Sequence, residues 1–257
     1  MSKTKTLSPQ DLEERRTRTF VALSALFFAA MVLLNVIGLT RFVQMGPLAL
    51  AVGVLPYPLT FLVTDLISEI FGKDRANFVV WVGLGLNLFV LLVLFIGQSL
   101  PSVAIEAQPP WQTLNLEDPL RLATGESVSG SVQLFYLIYT CSAGAVVASM
   151  LSYLAAQFCD VRIYHFLKTK TQGRHLWLRN NGSTLVSQLI DSFVVISVTF
   201  GMLVLEGSMT LQVFSTLLFG NYLFKMTAAL LDTLPFYYCV ALLRRYLKIN
   251  EDRESSH

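Results

Sequence analysis

Six long apolar stretches divide the chain: Phe20–Thr40, Pro47–Phe71, Ala76–Leu100, Ser131–Phe158, Leu185–Leu205 and Leu211–Leu243. Each reaches the roughly 20 residues a helix needs to cross the hydrocarbon of a bilayer. The pattern predicts an all-α, polytopic membrane protein with six transmembrane helices over residues 20–247. The last stretch is long enough to tilt or break. Polar segments flank and join the spans: residues 1–19, an outer loop 101–130, an inner loop 159–184 and a tail 248–257. The first span follows Arg15, Arg16 and Arg18 like a secretory signal. Its run is longer than a signal core and ends in Gly38-Leu39-Thr40-Arg41 rather than a small-residue cleavage site, so a retained helix is expected.

Basic residues resist translocation, and their placement sets the orientation. With the N-terminus inside, 16 of the 19 Lys and Arg residues fall on the inner side, Arg41 and Arg121 fall outside, and Lys225 lies within a span. Both termini are therefore expected in the cytoplasm, with the protein in the cell (inner) membrane. The outer loop carries Glu106, Glu117, Asp118 and Glu126 among prolines and reads as an irregular, solvated connector. Only 14% of the 257 residues are charged against 54% hydrophobic, which excludes an ordinary soluble enzyme. A net charge of +2, with no basic stripe, gives no reason to expect a nucleic-acid partner. Cys141, Cys159 and Cys239 lack metal-ligand spacing, and His165, His175 and His257 fall in the inner loop or tail. No P-loop, nucleophile elbow, zinc-protease or dinucleotide fingerprint is present, so no catalytic residue, metal or cofactor is expected.

What remains inside the spans is informative, because an ionisable group in hydrocarbon is costly unless paired or wet. The second span reads Pro56-Tyr57-Pro58-Leu59-Thr60-Phe61-Leu62-Val63-Thr64-Asp65-Leu66-Ile67-Ser68-Glu69. Two prolines before two carboxylates predict a broken or kinked helix, of the kind that lines a cavity. Asp65 and Glu69, four apart, share a face; Glu69 also suits an interfacial ion cluster with Lys73 and Arg75. In the fifth span Ser187 and Asp191 share a face with Gln188 at its border. In the sixth, Lys225 and Asp232 lie two turns apart before a kink expected at Pro235. Lys225 has Asp65, Glu69, Asp191, Asp232 and Glu206 as potential partners. The surplus of acids suits protonated carboxylates or a cationic, donor-rich ligand. Asn35 and Asn87 read as interhelical glue or ligand contacts, and Trp81, Phe61, Tyr57, Tyr222 and Phe224 as interfacial anchors or stacking surfaces.

The run from Pro56 to Lys73, with Ser183-Thr184 and Ser187-Gln188-Leu189-Ile190-Asp191-Ser192 in the fifth span, resembles the queuosine precursor transporter family, also called the vitamin uptake transporter family. The resemblance covers nearly the whole chain from about Val21 to Leu247, with the outer loop longer than in a compact member. It implies uptake of 7-cyano-7-deazaguanine or 7-aminomethyl-7-deazaguanine for transfer-RNA modification. Such a base presents an N1–H beside an exocyclic amine, a donor pair that a carboxylate accepts with both oxygens. On that footing Asp65 and Asp191 are expected as base-edge or amine acceptors, Gln188 as an amide reader, Glu69 as a second acid and Lys225 as counter-ion or carbonyl donor. Ser187, Asp232, Asn35 and Trp81 complete the expected substrate-binding set.

Three functions compete at this point. One is a secondary or facilitated importer, with proton coupling open to its buried carboxylates. Another is a substrate-capturing membrane subunit driven by an external ATPase, for which the small face of Ala22, Ala25 and Ala29 is suited. The last, a membrane enzyme or channel, lacks a nucleophile–base or metal constellation. A nucleobase substrate and the lipid bilayer are the expected partners, and a homodimer is compatible with the size without any register signal for it.

Overall fold

The computed structural model describes residues 8–38, 40–46, 48–122, 125–171 and 176–248. Lys3, Lys5, Arg174, Arg253, His175, His257 and nearly all of the tail lie outside the described residues, as do the side chains of Lys73, His165, Lys168, Arg179, Ser183 and Thr184. Seven helices form the bundle: α1 (Pro9–Val36), α2 (Tyr57–Phe71), α3 (Lys73–Ser99), α4 (Leu134–Lys170), α5 (Leu176–Leu205), α6 (Leu211–Leu231) and α7 (Thr233–Tyr246). The last two are one span broken at Asp232, so six segments are long and apolar enough to cross a membrane.

Three two-stranded ladders depart from the all-helical expectation: β1 (Phe42–Met45) with β2 (Leu48–Ala51), β3 (Thr113–Asn115) with β6 (Ser131–Gln133), and β4 (Leu120–Arg121) with β5 (Ser127–Val128). The third lies within the connector 101–130, and the second reaches from it to Ser131–Gln133, residues expected to open the fourth span, whose helix starts at Leu134; the connector is thus a small folded lobe rather than an irregular loop. Arg121 ties this lobe to the α5–α6 turn through Glu206 Oε2 at 2.9 Å and Ser208 Oγ at 2.8 Å. A cavity of about 250 Å³ opens where the lobe meets α3 and α4, lined by Gln98, Gln108, Gln112, Gln133 and Phe135 among others, with no charged side chain.

The second span differs most from its sequence reading. Residues 48–54 continue the apolar run, yet they form strand β2 and a 3-10 turn at Val52–Val54, and helix begins only at Tyr57. Pro56 and Pro58 explain the late start, since proline suits the first helical turn and breaks anything before it. The 15 residues of α2 rise about 22 Å, short of the roughly 30 Å of hydrocarbon. The hairpin fills the missing length. Gly53 sits so close to the end of α1 that a Cβ there would stand 2.5 Å from Gly38 Cα. Gly220 of α6 likewise lets the hairpin approach, a Cβ at that position lying 3.2 Å from the Ala49 carbonyl oxygen. Phe42 packs on Phe200 of α5 with ring centroids 5.8 Å apart, and Leu50 is buried. Backbone bonds from Val52 N to Arg41 O (2.8 Å) and Gly53 N to Gly38 O (3.4 Å) complete the seal.

At the other end, which carries the start of α1, the α2–α3 turn and the end of α7, the contacts are ionic and aromatic. Glu69 meets Arg244 at 2.5 Å, and Arg15 and Arg75 lie over the rings of Tyr246 and Phe20. The two ends are called the hairpin face and the terminal face below. Between them Phe27, Val63, Ile67, Ala76 and Val79 form a core joining α1, α2 and α3. The opposite side of α2 carries Phe61, Asp65, Ser68 and Glu69, all exposed.

Candidate functional site

Helical periodicity splits α2 into two faces. Thr60, Val63, Ile67 and Ile70 fall within one stripe and are buried, which turns Asp65, Ser68 and Glu69 outward on the other. Intramembrane carboxylates are costly against lipid, and here Glu69 pairs with Arg244 of α7 while Asp65 lies within electrostatic reach of Asp232 at the α6–α7 hinge. This second stripe runs from Glu69 at the terminal face to Tyr57 at the head of α2. There the helix meets α5 and α6.

At that junction the Lys225 ammonium of α6 pairs with Asp191 Oδ2 of α5, and both side chains are largely buried. The Ser152 hydroxyl of α4 donates to Asp191 Oδ1 and to the Asp191 carbonyl oxygen at 2.9 Å. Lys225 Nζ also stands 4.4 Å from the centre of the Tyr57 ring, in cation–π range. The Tyr57 hydroxyl donates to Gln188 Oε1 at 2.7 Å, and the Tyr57 ring meets Phe61 edge-on at 4.6 Å. One ion pair therefore connects α2, α4, α5 and α6. Burying two charges is unfavourable unless each is well partnered, and here the carboxylate has two donors and the ammonium an anion and a ring.

Lys225 thus selects Asp191 from its five potential partners. Glu206 is held by Arg121 at the hairpin face and Glu69 by Arg244 at the terminal face. Asp232, the hinge between α6 and α7, lies within electrostatic reach of Asp65, and its Oδ2 is buried without a hydrogen-bond partner. These two acids make a second polar level, nearer the terminal face than the ion pair by about 10 Å along α6.

Of the other expected contacts, Ser187 is buried on α5 one turn from Asp191. Asn35 is also buried, but its amide donates to Met31 O at 3.1 Å and its oxygen accepts from Ser149 Oγ at 3.0 Å, an α1–α4 bridge away from the junction. Trp81 is 69% exposed on α3, a surface that suits lipid. Sequence reasoning missed Ser152, since serine in an apolar helix carries no distinctive signal. It also missed Asn221 of α6, whose amide Nδ2 is buried without a partner one turn from Lys225.

A family model described as "Putative vitamin uptake transporter" matches residues 51–240, from the hairpin through α7. The "Probable queuosine precursor transporter" of Bacillus subtilis (strain 168) is 26% identical over 197 residues, covering 76% of this chain and 73% of that protein. No solved structure matches the chain significantly.

Proposed function

The chain belongs to the vitamin uptake transporter family, and on that premise we propose that it imports a queuosine precursor base, 7-cyano- or 7-aminomethyl-7-deazaguanine, by alternating access around Asp191 and Lys225. The reading takes its substrate from the name of the Bacillus relative and its chemistry from the junction. The observation that carries it is a buried ion pair, flanked by an aromatic ring and an amide, where the polar side of α2 meets α5 and α6.

The substrate enters by exchange. Asp191 already has two partners, so a base that offers N1–H and the exocyclic amine to this carboxylate displaces the Lys225 ammonium, the Ser152 hydroxyl or both. The freed ammonium swings toward a substrate oxygen, the Tyr57 ring offers a stacking face, and Gln188 reads an amide edge. Ser187 supports Asp191 from the preceding turn. Asp65, Asp232 and Glu69 then form the route to the terminal face, where an aminomethyl cation finds carboxylates in succession. Asn35 and Trp81, proposed from sequence as contacts, act in this scheme as a helix bridge and a lipid anchor. The positive-inside distribution makes the terminal face cytoplasmic, so the conformation sealed by the hairpin is inward-open. Proton coupling is assigned to the Asp65–Asp232 level, where two acids face each other without a lysine or arginine partner among the described contacts.

The test is uptake of labelled deazaguanine bases by cells that cannot synthesise them, with and without an uncoupler at maintained ATP. Uptake that depends on this chain and collapses with the proton gradient is expected. Uptake insensitive to the uncoupler removes the coupling, and uptake lost only on ATP depletion favours a subunit of an ATPase-driven system.

A further inference from the structure

Of the donors that sequence reasoning assigns to the substrate carbonyl, Lys225 is held by Asp191 in this conformation, and Gln188 is oriented by the Tyr57 hydroxyl, which donates to its Oε1. A further donor near the junction has no hydrogen-bond partner. Asn221 Nδ2 is buried and makes no hydrogen bond. It lies one helical turn before Lys225 on the same face of α6, and next to Gly220, where the hairpin packs closest. Because α5 and α6 are joined by a short turn and run antiparallel, this step along α6 leads toward the hairpin face. On α5 the neighbour of Asp191 in that direction, Ser192, is wholly buried, and its hydroxyl also has no partner. Two buried, unpartnered polar groups on the contacting helices α5 and α6 thus lie next to the ion-pair residues in sequence, on the hairpin side of Lys225 and Asp191. Native interiors rarely leave such groups unpaired, and the exceptions mark places where a further molecule completes the bonding.

We propose that Asn221 is a specificity-determining residue of the transport site, its amide donating to the ring carbonyl of the base while Asp191 accepts from the N1–H and amine, with the Ser192 hydroxyl completing that wall. This rests on the transport reading above. The division of labour is chemically consistent: one carboxylate matches the donor pair and one amide hydrogen matches the adjacent carbonyl, which fixes the base edge-on in a single orientation. A base bearing an amine in place of the carbonyl is mismatched twice, its unprotonated N1 against Asp191 in every variant and its 6-amine against the Asn221 amide donor in the wild type, so the share of discrimination lost in N221L is the share due to Asn221.

The experiment measures uptake of labelled 7-aminomethyl-7-deazaguanine, with unlabelled 2,6-diamino-7-deazapurine as competitor, in wild type, N221L and N221D. Leucine matches asparagine in size and removes the orphan donor, so a purely structural Asn221 predicts unchanged or improved thermal stability and unchanged kinetics. The proposal predicts about a tenfold rise in KM for N221L, Vmax within about twofold, and a loss of discrimination against the diamino competitor of about tenfold. N221D, which offers an acceptor, shifts the preference toward the competitor. Unchanged KM and discrimination in N221L, with the wild type active, overturn the assignment alone. No uptake by the wild type overturns the transport reading and this assignment together.

Discussion

The bundle holds its charges at two levels that obey different rules. At the head of α2, the largely buried Asp191 and Lys225 neutralise each other, with a hydroxyl and an aromatic ring completing the set. Nearer the terminal face, Asp65 lies within electrostatic reach of the like charge of Asp232 with no ion-pair partner among the described residues, and Glu69 reaches Arg244 in a partly exposed pair. A closed pair is a lock that opens when something better arrives. An acid facing another acid is a place where a proton or a cation is welcome. On the proposed transport reading, the distinction would separate recognition from passage along a single path.

The comparison breaks most sharply at the pair itself. D191N or K225M alone leaves a buried charge without its partner, which costs about 3–5 kcal/mol of stability and should lower uptake at least a hundredfold. The double variant should recover most of the melting temperature while remaining inactive. A double variant that transports would reduce the pair to a structural feature. At the lower level D65N should cut uptake about tenfold at normal insertion, and its pH dependence should flatten relative to wild type. E69Q should stay within about threefold, because exposed pairs contribute only about 0.2–1 kcal/mol. An E69Q defect exceeding that of D65N would move the passage to the interface. Y57F keeps the ring and loses the bond to Gln188, for an expected rise of about 3- to 10-fold in KM, in line with one neutral hydrogen bond. The smallest effect belongs to the lobe. R121A breaks a contact whose side chains are 50% and 32% exposed, so uptake should stay within about twofold and the melting temperature should barely move.

The helical spans were legible because apolar length is a strong signal, and Asp191, Gln188 and Lys225 stood out as polar exceptions within them. The sequence reading extended the second span back to Pro47, although Gly46-Pro47 is a turn signal. The flanking residues Leu48–Ala51 are apolar enough to pass for helix, and it is their pairing with Phe42–Met45, packed against α6, that makes them a strand. The lobe between α3 and α4 was missed because strands of two or three residues are too short to show alternation. Which acid meets Lys225 depends on how α5 and α6 lie side by side, and spacing within one helix pointed equally to Asp232. Ser152 and Asn221 gave no signal, since such residues commonly bridge helices. The polar residue types inside the spans were visible in the sequence, and their partners were not.

The shortness of α2 has an electrical consequence. In the inward-open state proposed above, water following the polar stripe up to Tyr57 would carry the potential of the terminal face with it, and the membrane voltage would drop mainly across the thin plug made by the hairpin. One elementary charge crossing 100 mV is worth about 2.3 kcal/mol. A cargo bearing an ammonium collects most of that energy in the brief step past the plug, whereas a neutral nitrile-bearing cargo collects none. Voltage alone therefore ranks two otherwise similar bases.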